Sequence, residues 1–217
     1  LLDVGCGPGT ITLDLAAIVA PGRTLGVDAA ASVVDQARAA AAERGVEVAF
    51  AVGDAYALDA ADGTFDVVHA HQVLQHLADP VAALTEWARV TKPGGLVAAR
   101  DADYAGMHWY PRDPRLDRWL ELYRSAARAN GGEPDAGRHV LAWAHAAGLV
   151  DVTASASIWC YADDASREWW GDLWAERVTA SALASQLTTT GLATADELAD
   201  IAAAFRAWAS HPDAWFA

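Results

Sequence analysis

Leu1-Leu2-Asp3-Val4-Gly5-Cys6-Gly7-Pro8-Gly9-Thr10 stands at the head of the chain, and every later element is read against it. A short apolar run ends in three glycines at alternate positions, and a helix-like pattern begins at Thr10. This is the pattern of a strand, a tight glycine turn and a helix N-terminus, where backbone amides can come close to a nucleotide. Glycine turns of this kind also serve packing alone, and only the rest of the chain can decide between the two.

Working outward, Ile11, Leu15, Ile18 and Val19 share a helical face, and Pro21-Gly22 stops that helix. Thr24 to Val27 reads as a second strand closing at Asp28. Ser32 to Arg44 reads as a helix with Ser32 as N-cap and Gly45 as its stop. Val46 to Val52 is a third strand before Gly53-Asp54, and Phe65 to Ala70 a fourth. A helix from Pro80 to Thr91 turns Val81, Leu84, Trp87 and Ala88 inward. Pro93-Gly94-Gly95 leads into a fifth strand, Leu96 to Ala99. This alternation predicts an α/β fold: a doubly wound, mostly parallel Rossmann-like sheet whose ligand lies outside the carboxyl ends of the strands.

After Asp101 the rhythm changes. Leu116, Trp119, Leu120, Tyr123 and Ala127 form a helical stripe, Arg138 to Ala147 another helix, and Val150 to Ile158 a sixth strand. Trp170, Leu173, Trp174 and Val178 mark a further helix. Thr194 with Glu197 forms a capping box for a last one, with Leu198, Ile201, Ala202, Phe205 and Trp208 on its core face. Nine of the ten tryptophans lie beyond residue 100. The expected division is therefore an α/β core over 1–102 and 136–159, with helical, aromatic-rich insertions over 103–135 and 160–217.

Composition narrows the partners. The 217 residues are 53% hydrophobic and 20% charged, as expected of a folded globular chain. Fifteen basic against 29 acidic residues give a net charge of −14, with no basic stripe to neutralise phosphates. A small-molecule ligand is expected, not nucleic acid. Every apolar tract is broken by charge before reaching the ~18 residues of a membrane helix. Cys6 and Cys160 lack metal-ligand spacing and read as thiols of a reducing compartment, so a cytoplasmic protein without a metal site is expected.

Three proposed strands end in an acid or a histidine: Asp28, Asp54 and the His69/His71 pair. Asp28 is placed to accept hydrogen bonds from ribose hydroxyls, and it equally suits a helix N-cap. Asp54 could accept from an adenine amino group while the Ala55 amide donates, and it equally suits a turn aspartate. Asp3 lies inside the first strand, where an unpaired carboxylate is costly. It needs a donor, for which the glycine-loop amides or a ligand amine are the candidates.

Four stretches in order resemble the class I S-adenosylmethionine-dependent methyltransferases, in the branch with the ubiquinone/menaquinone-biosynthesis type. They are Leu2 to Thr10, Gly26-Val27-Asp28, Gly53-Asp54-Ala55, and Phe65 to Leu77 continuing to Arg89 to Gly95. The resemblance implies S-adenosylmethionine as cofactor and S-adenosylhomocysteine as product. By it, Asp3 and the Gly5, Cys6, Gly7, Gly9, Thr10 loop take the methionine part. Asp28 and Ala29 take the ribose, Asp54 and Ala55 the adenine, and His71 flanks the sulfonium end. A nicotinamide dehydrogenase would place its third glycine at position 10, which is Thr10.

The expected reaction is an in-line methyl transfer to O, C or N of a small, apolar or aromatic molecule, driven largely by positioning in a dry site. A cofactor-binding partner or sensor without turnover is the alternative from another class. His71, His76, Asp103, Tyr104 and His108 stand where a base would be needed, and no catalytic residue is assigned among them. The 103–110 stretch and the helices after 160 are expected to cover the substrate. The family's N-terminal helical lid and antiparallel seventh strand have no counterpart in these residues, so both are expected to be missing.

Overall fold

The structure, a computed structural model, describes residues 1–217, which divide into two compact units: residues 1–102 with 136–153, and residues 103–135 with 154–217. The segment 154–159 groups with the second unit.

In the first unit, β1 (Leu2–Val4), β2 (Leu25–Asp28), β3 (Ala49–Val52), β4 (Phe65–His71) and β5 (Thr91–Arg100) form one parallel sheet in the order β3-β2-β1-β4-β5. The chain leaves β1 toward β2 on one side and returns to its other side with β4. The carboxyl ends of β1 and β4 therefore flank the point where the strand order reverses, the usual place for a ligand crevice. Parallel strands covered on both faces must be apolar, and the two faces are filled differently. Leu2, Val4, Val68 and Ala70 pack with Leu84, Trp87 and Val90 of α3 (Pro80–Val90). On the other face, Leu13 of α1 (Thr10–Val19) joins Val34, Ala37 and Ala41 of α2 (Ala31–Arg44) and Phe50 of β3.

Helix α3 is set by its start: Asp79 caps the Ala82 amide and Pro80 holds the first helical position. Its fully buried Trp87 donates to the Ala55 carbonyl at 3.0 Å. Arg89 donates to the Leu58 and Ala60 carbonyls while pairing with Glu86 and Asp62. One helix thus pins the loop after β3.

Several expectations are corrected. The buried side of α1 carries Thr12 and Leu13, whereas Ile11 and Ile18 are 38% and 77% exposed. The face that packs on α2 and β3 is the one that carries Leu13. Ala30, not Ser32, precedes α2, because the Asp28 carboxylate already accepts the Ala30 amide. Strand β5 reaches back to Thr91, and Pro93-Gly94-Gly95 lies in a bulge where the register jumps from Phe65↔Thr91 to Val67↔Leu96. Residues 150–158 form no strand, and Val150 and Ile158 are 81% and 79% exposed. Alanine, serine and threonine dominate that run, and without a ladder partner they offer too little buried area to order it as sheet.

The second unit contains α4 (Pro114–Ala129), α6 (Asp164–Ala180), α7 (Ala182–Thr189) and α8 (Ala195–Ala209); α5 (Val140–Ala146) belongs to the first. The end of the chain forms β7 (Trp215–Phe216), antiparallel to β6 (Trp109–Tyr110) in a separate two-stranded sheet, and the parallel sheet holds no antiparallel seventh strand. Trp119 is 1% exposed and central, with ring centroids 4.5 Å from Trp174, 5.1 Å from Phe205 and 6.0 Å from Phe216. The buried indole nitrogens of Trp109, Trp119, Trp170 and Trp174 have no conventional acceptor. Each of these rings stands edge-to-face with another tryptophan.

Asp135 is 3% exposed yet accepts from Arg124, Arg128 and the Ala105 amide. Burial alone would raise its pKa, and these donors more than offset it, holding the carboxyl below the ordinary aspartate range. Thr194 caps α8 through the Glu197 amide, while the Glu197 side chain pairs with Arg118 instead of closing the reciprocal half of the box.

Candidate functional site

A cavity of about 240 Å³ opens at the carboxyl ends of β1, β2 and β3. β1 contributes Val4 and Gly5; β2 contributes Val27, Asp28 and Ala29; the end of β3 contributes Gly53 and Ala55. The fourth wall is the segment after β4, with Gln72, Val73, His76 and Leu77.

The glycine turn is shaped for close approach. Gly5 has φ of +66°, and a Cβ there would lie 2.4 Å from Val73 Cγ2. Gly9 has φ of +84°, and a Cβ would meet Ala37 and Phe50 at 3.0 and 3.1 Å. The turn is tied to β2 by two bonds: the Cys6 amide donates to the Val27 carbonyl, and the Gly7 amide to Asp28 Oδ2, each at 3.0 Å. Asp28 Oδ1 accepts the Ala30 amide at 3.0 Å. Asp28 is therefore both a wall of the cavity and the clamp that joins loop, strand and helix. Pro8 and Thr10 of the same turn are exposed.

Asp3 is 3% exposed, and its partners differ from those expected. Thr12 Oγ1 donates to Oδ2 at 2.5 Å and His69 Nδ1 lies 2.7 Å from Oδ1, so neither loop amides nor a ligand is needed to satisfy it. The sheet register sets Asp3 beside His69, a pairing that sequence order 66 residues apart does not display. Asp54 is exposed, and its Oδ1 accepts the Tyr56 amide at 2.9 Å, the turn-aspartate arrangement. Gly53 and Ala55, not Asp54, line the cavity. His71 is half-buried at the end of β4; burial, then the Arg100 and His69 charges, lower its pKa, so the ring is neutral at pH 7.

Cys6 lies in the loop, 7% exposed, and its thiol is pushed up to about 12 by burial and by the nearby Asp28 and Asp3 charges. Cys160 is exposed. Iodoacetamide at pH 8 is expected to modify Cys160 within minutes and Cys6 only after unfolding, as read by peptide mass spectrometry.

The candidate bases separate. Tyr104 is buried and stacked on Tyr123 at 4.2 Å, and burial drives its phenol far above the usual range, which excludes a base role. The His108 amide and carbonyl are both paired with Ala217 at the β6–β7 edge, and Asp103 accepts the Gly106 amide through its carbonyl. His76 borders the cavity, and its Nε2 lies 3.2 Å from the side-chain Nε2 of Gln75.

Asp101 was not among the sequence candidates. It follows β5 directly, and its Oδ1 accepts the Gln75 amide at 3.0 Å while its buried Oδ2 has no partner. Burial raises its carboxyl to about 6 against the opposing effect of the Gln75 and Leu74 amides. The signal was present, since an acid closing a strand is also the mark of Asp28. A folded-state pKa above the unfolded 3.8 means the stability linked to this group is complete at low pH and lost as pH rises through about 6. Asp101→Asn is therefore expected to raise stability by about 1–3 kcal/mol at pH 7.5. The gain should be about half as large at pH 5. Urea unfolding at the two pH values checks both.

Residues 2–99 match the methyltransferase-domain family. An uncharacterized methyltransferase of Schizosaccharomyces pombe is 42% identical over 189 residues, spanning 82% of this chain and 67% of that protein. The chain belongs to the class I S-adenosylmethionine-dependent methyltransferases. It is thereby an enzyme, and S-adenosylmethionine is its cofactor. The ubiquinone/menaquinone biosynthesis C-methyltransferase of Bdellovibrio bacteriovorus is 37% identical over 97 residues, 45% of this methyltransferase and 41% of that one. Among solved structures, the YcgJ protein of Bacillus subtilis superposes with a TM-score of 0.59 at 27% identity, covering 92% of this chain and 79% of that one. The nicotinamide alternative is set aside by these relatives. The lining of the cavity fits such a cofactor: Asp28 brings a carboxylate that can accept hydrogen bonds, and Gly53 and Ala55 bring no polar side chain. No helix of this methyltransferase is long and apolar enough to cross a membrane.

Proposed function

We propose that the chain methylates a small, apolar or aromatic acceptor at O, C or N. The observation carrying the site assignment is Asp28, which faces the cavity while clamping the glycine turn through Gly7. In this reading Gly5 to Thr10 receive the methionine part, with Asp3 held behind them. Asp28 and Ala29 take the ribose, Ala55 with Asp54 the adenine, and His71 stands at the methionine end. Bound S-adenosylmethionine supplies an electrophilic methyl group on a sulfonium. The chain's own work is to hold that group by backbone contact and to exclude water with the apolar Val4, Val27, Val73 and Leu77. No side chain is assigned to proton transfer in this reading.

Support for an aromatic acceptor comes from the rings that the second unit leaves exposed, Tyr110, Trp159, Trp169 and Trp215, its other tryptophans being packed as core. The Bdellovibrio relative, named for ubiquinone and menaquinone biosynthesis, points the same way. The charge of −14 argues against nucleic acid. Two unpaired thiols agree with a cytoplasmic setting. The test is release of S-adenosylhomocysteine with a panel of phenols, hydroquinones and aryl amines. Turnover with any of these supports the enzyme reading for an aromatic acceptor. Tight cofactor binding with no product across the panel would overturn the aromatic acceptor.

A further inference from the structure

Asp101 joins two properties that do not belong together in a purely structural residue. It is a carboxyl group with a buried oxygen lacking any partner, which costs stability, and it holds the wall of the cofactor cavity. The wall is the segment 72–77. Gln72 adopts φ of +57°, and its amide donates to the Arg100 carbonyl at 2.7 Å. Val73 then faces Gly5, and the turn Leu74–His76 comes next, with its Gln75 amide on Asp101 Oδ1. Gln75 is 3% exposed, and its side-chain oxygen is a second buried acceptor without a donor. The Arg100 carbonyl and the Asp101 carboxylate thus tie this segment to the carboxyl end of β5.

We infer that Asp101 is a positioning residue whose ionised carboxylate latches the Leu74–His76 turn, so that Val73 and His76 stand in place to receive the cofactor. The inference rests on the cavity being the cofactor site. An ionised carboxylate accepts amide hydrogen bonds more strongly than a neutral acid does. Protonation, centred at about 6, loosens the latch. Cofactor binding and proton release at Asp101 are then linked.

Other titratable and charged groups border this position and must be separated from it. Arg100 precedes Asp101, and His71 is the register partner of Arg100 on β4. His76 lies on the latched turn itself. Arg138 ends the turn Ala136–Arg138, which packs on Leu74–His76 and brings Gly137 against the Asp101 carbonyl. Burial lowers the pKa of both histidines.

Calorimetry with S-adenosylhomocysteine as probe, from pH 5.0 to 7.5, tests the linkage on the whole chain, with circular dichroism confirming the fold of each variant. The wild type is expected to bind about tenfold more weakly at pH 5.0 than at 7.5, and to release about half a proton per site at pH 6. Asp101→Asn, which keeps one acceptor oxygen but cannot ionise, is expected to flatten the profile to within about twofold. At the same time it should unfold at higher urea, a combination that lost packing alone would not produce. His76→Gln and His71→Gln are expected to retain the pH slope whatever their absolute affinity. The inference is overturned if Asp101→Asn keeps the wild-type slope, or if either histidine variant abolishes it. Absence of any binding by folded wild type at every pH would overturn the cofactor site itself, a result distinct from binding without a slope.

Discussion

Asp28→Ala is expected to weaken S-adenosylhomocysteine binding by about a hundredfold or more, measured by calorimetry at pH 7.5, with the fold retained. Two losses combine. The carboxylate proposed to accept from ligand hydroxyls disappears, and hydrogen bonds to a charged acceptor contribute about 1.5–3 kcal/mol each. The Gly7 and Ala30 amides lose their acceptors as well, so the glycine turn is no longer clamped to β2. Asp28 is half-buried at a strand end, and water can reach the amides it leaves, which keeps the effect on stability near ~1–2 kcal/mol. An affinity within threefold of wild type would remove Asp28 from the site.

Trp119→Ala is expected to destabilise the second unit by about 3–5 kcal/mol in urea unfolding. The side chain is 1% exposed and stands at the centre of five rings: Trp109, Tyr123, Trp174, Phe205 and Phe216. Removing it leaves a void lined by rigid aromatic groups that cannot collapse to fill it. It also deprives Trp174 of an edge-to-face partner at 4.5 Å. Trp169→Ala is the matched control. That ring is 56% exposed, and its loss should cost less than about 1 kcal/mol. Equal effects of the two substitutions would show that the cluster is not the core of its unit.

Local chemistry was legible where a residue's role is set by its chain neighbours. The glycines at 5, 7 and 9, the acid closing β2 and the Thr194 cap are short-range devices, and each was found where the residues placed it. Most readings that failed depended on partners far along the chain. Val150 to Ile158 alternates like a strand, yet a strand exists only with a neighbour to bond. Ile11 and Ile18 have helical spacing, but packing on α2 and β3 took the face that carries Leu13. Asp54 could be read as ligand acceptor or turn residue, and its bond to the Tyr56 amide favours the turn.

The order of apolar runs and glycine breaks was sufficient for the parallel α/β sheet, because strand–turn–helix units with right-handed crossovers allow few arrangements. Tertiary structure alone decided which buried polar groups are satisfied. It set His69 and Thr12 on Asp3, filling a need that the chain order left open among loop amides and ligand. It also brought Asp101 to Gln75, 26 residues upstream, and left one carboxylate oxygen without a partner. A side chain's period along the chain reports the face it occupies; whether its charge finds a donor there is set by register and burial, which no local pattern encodes.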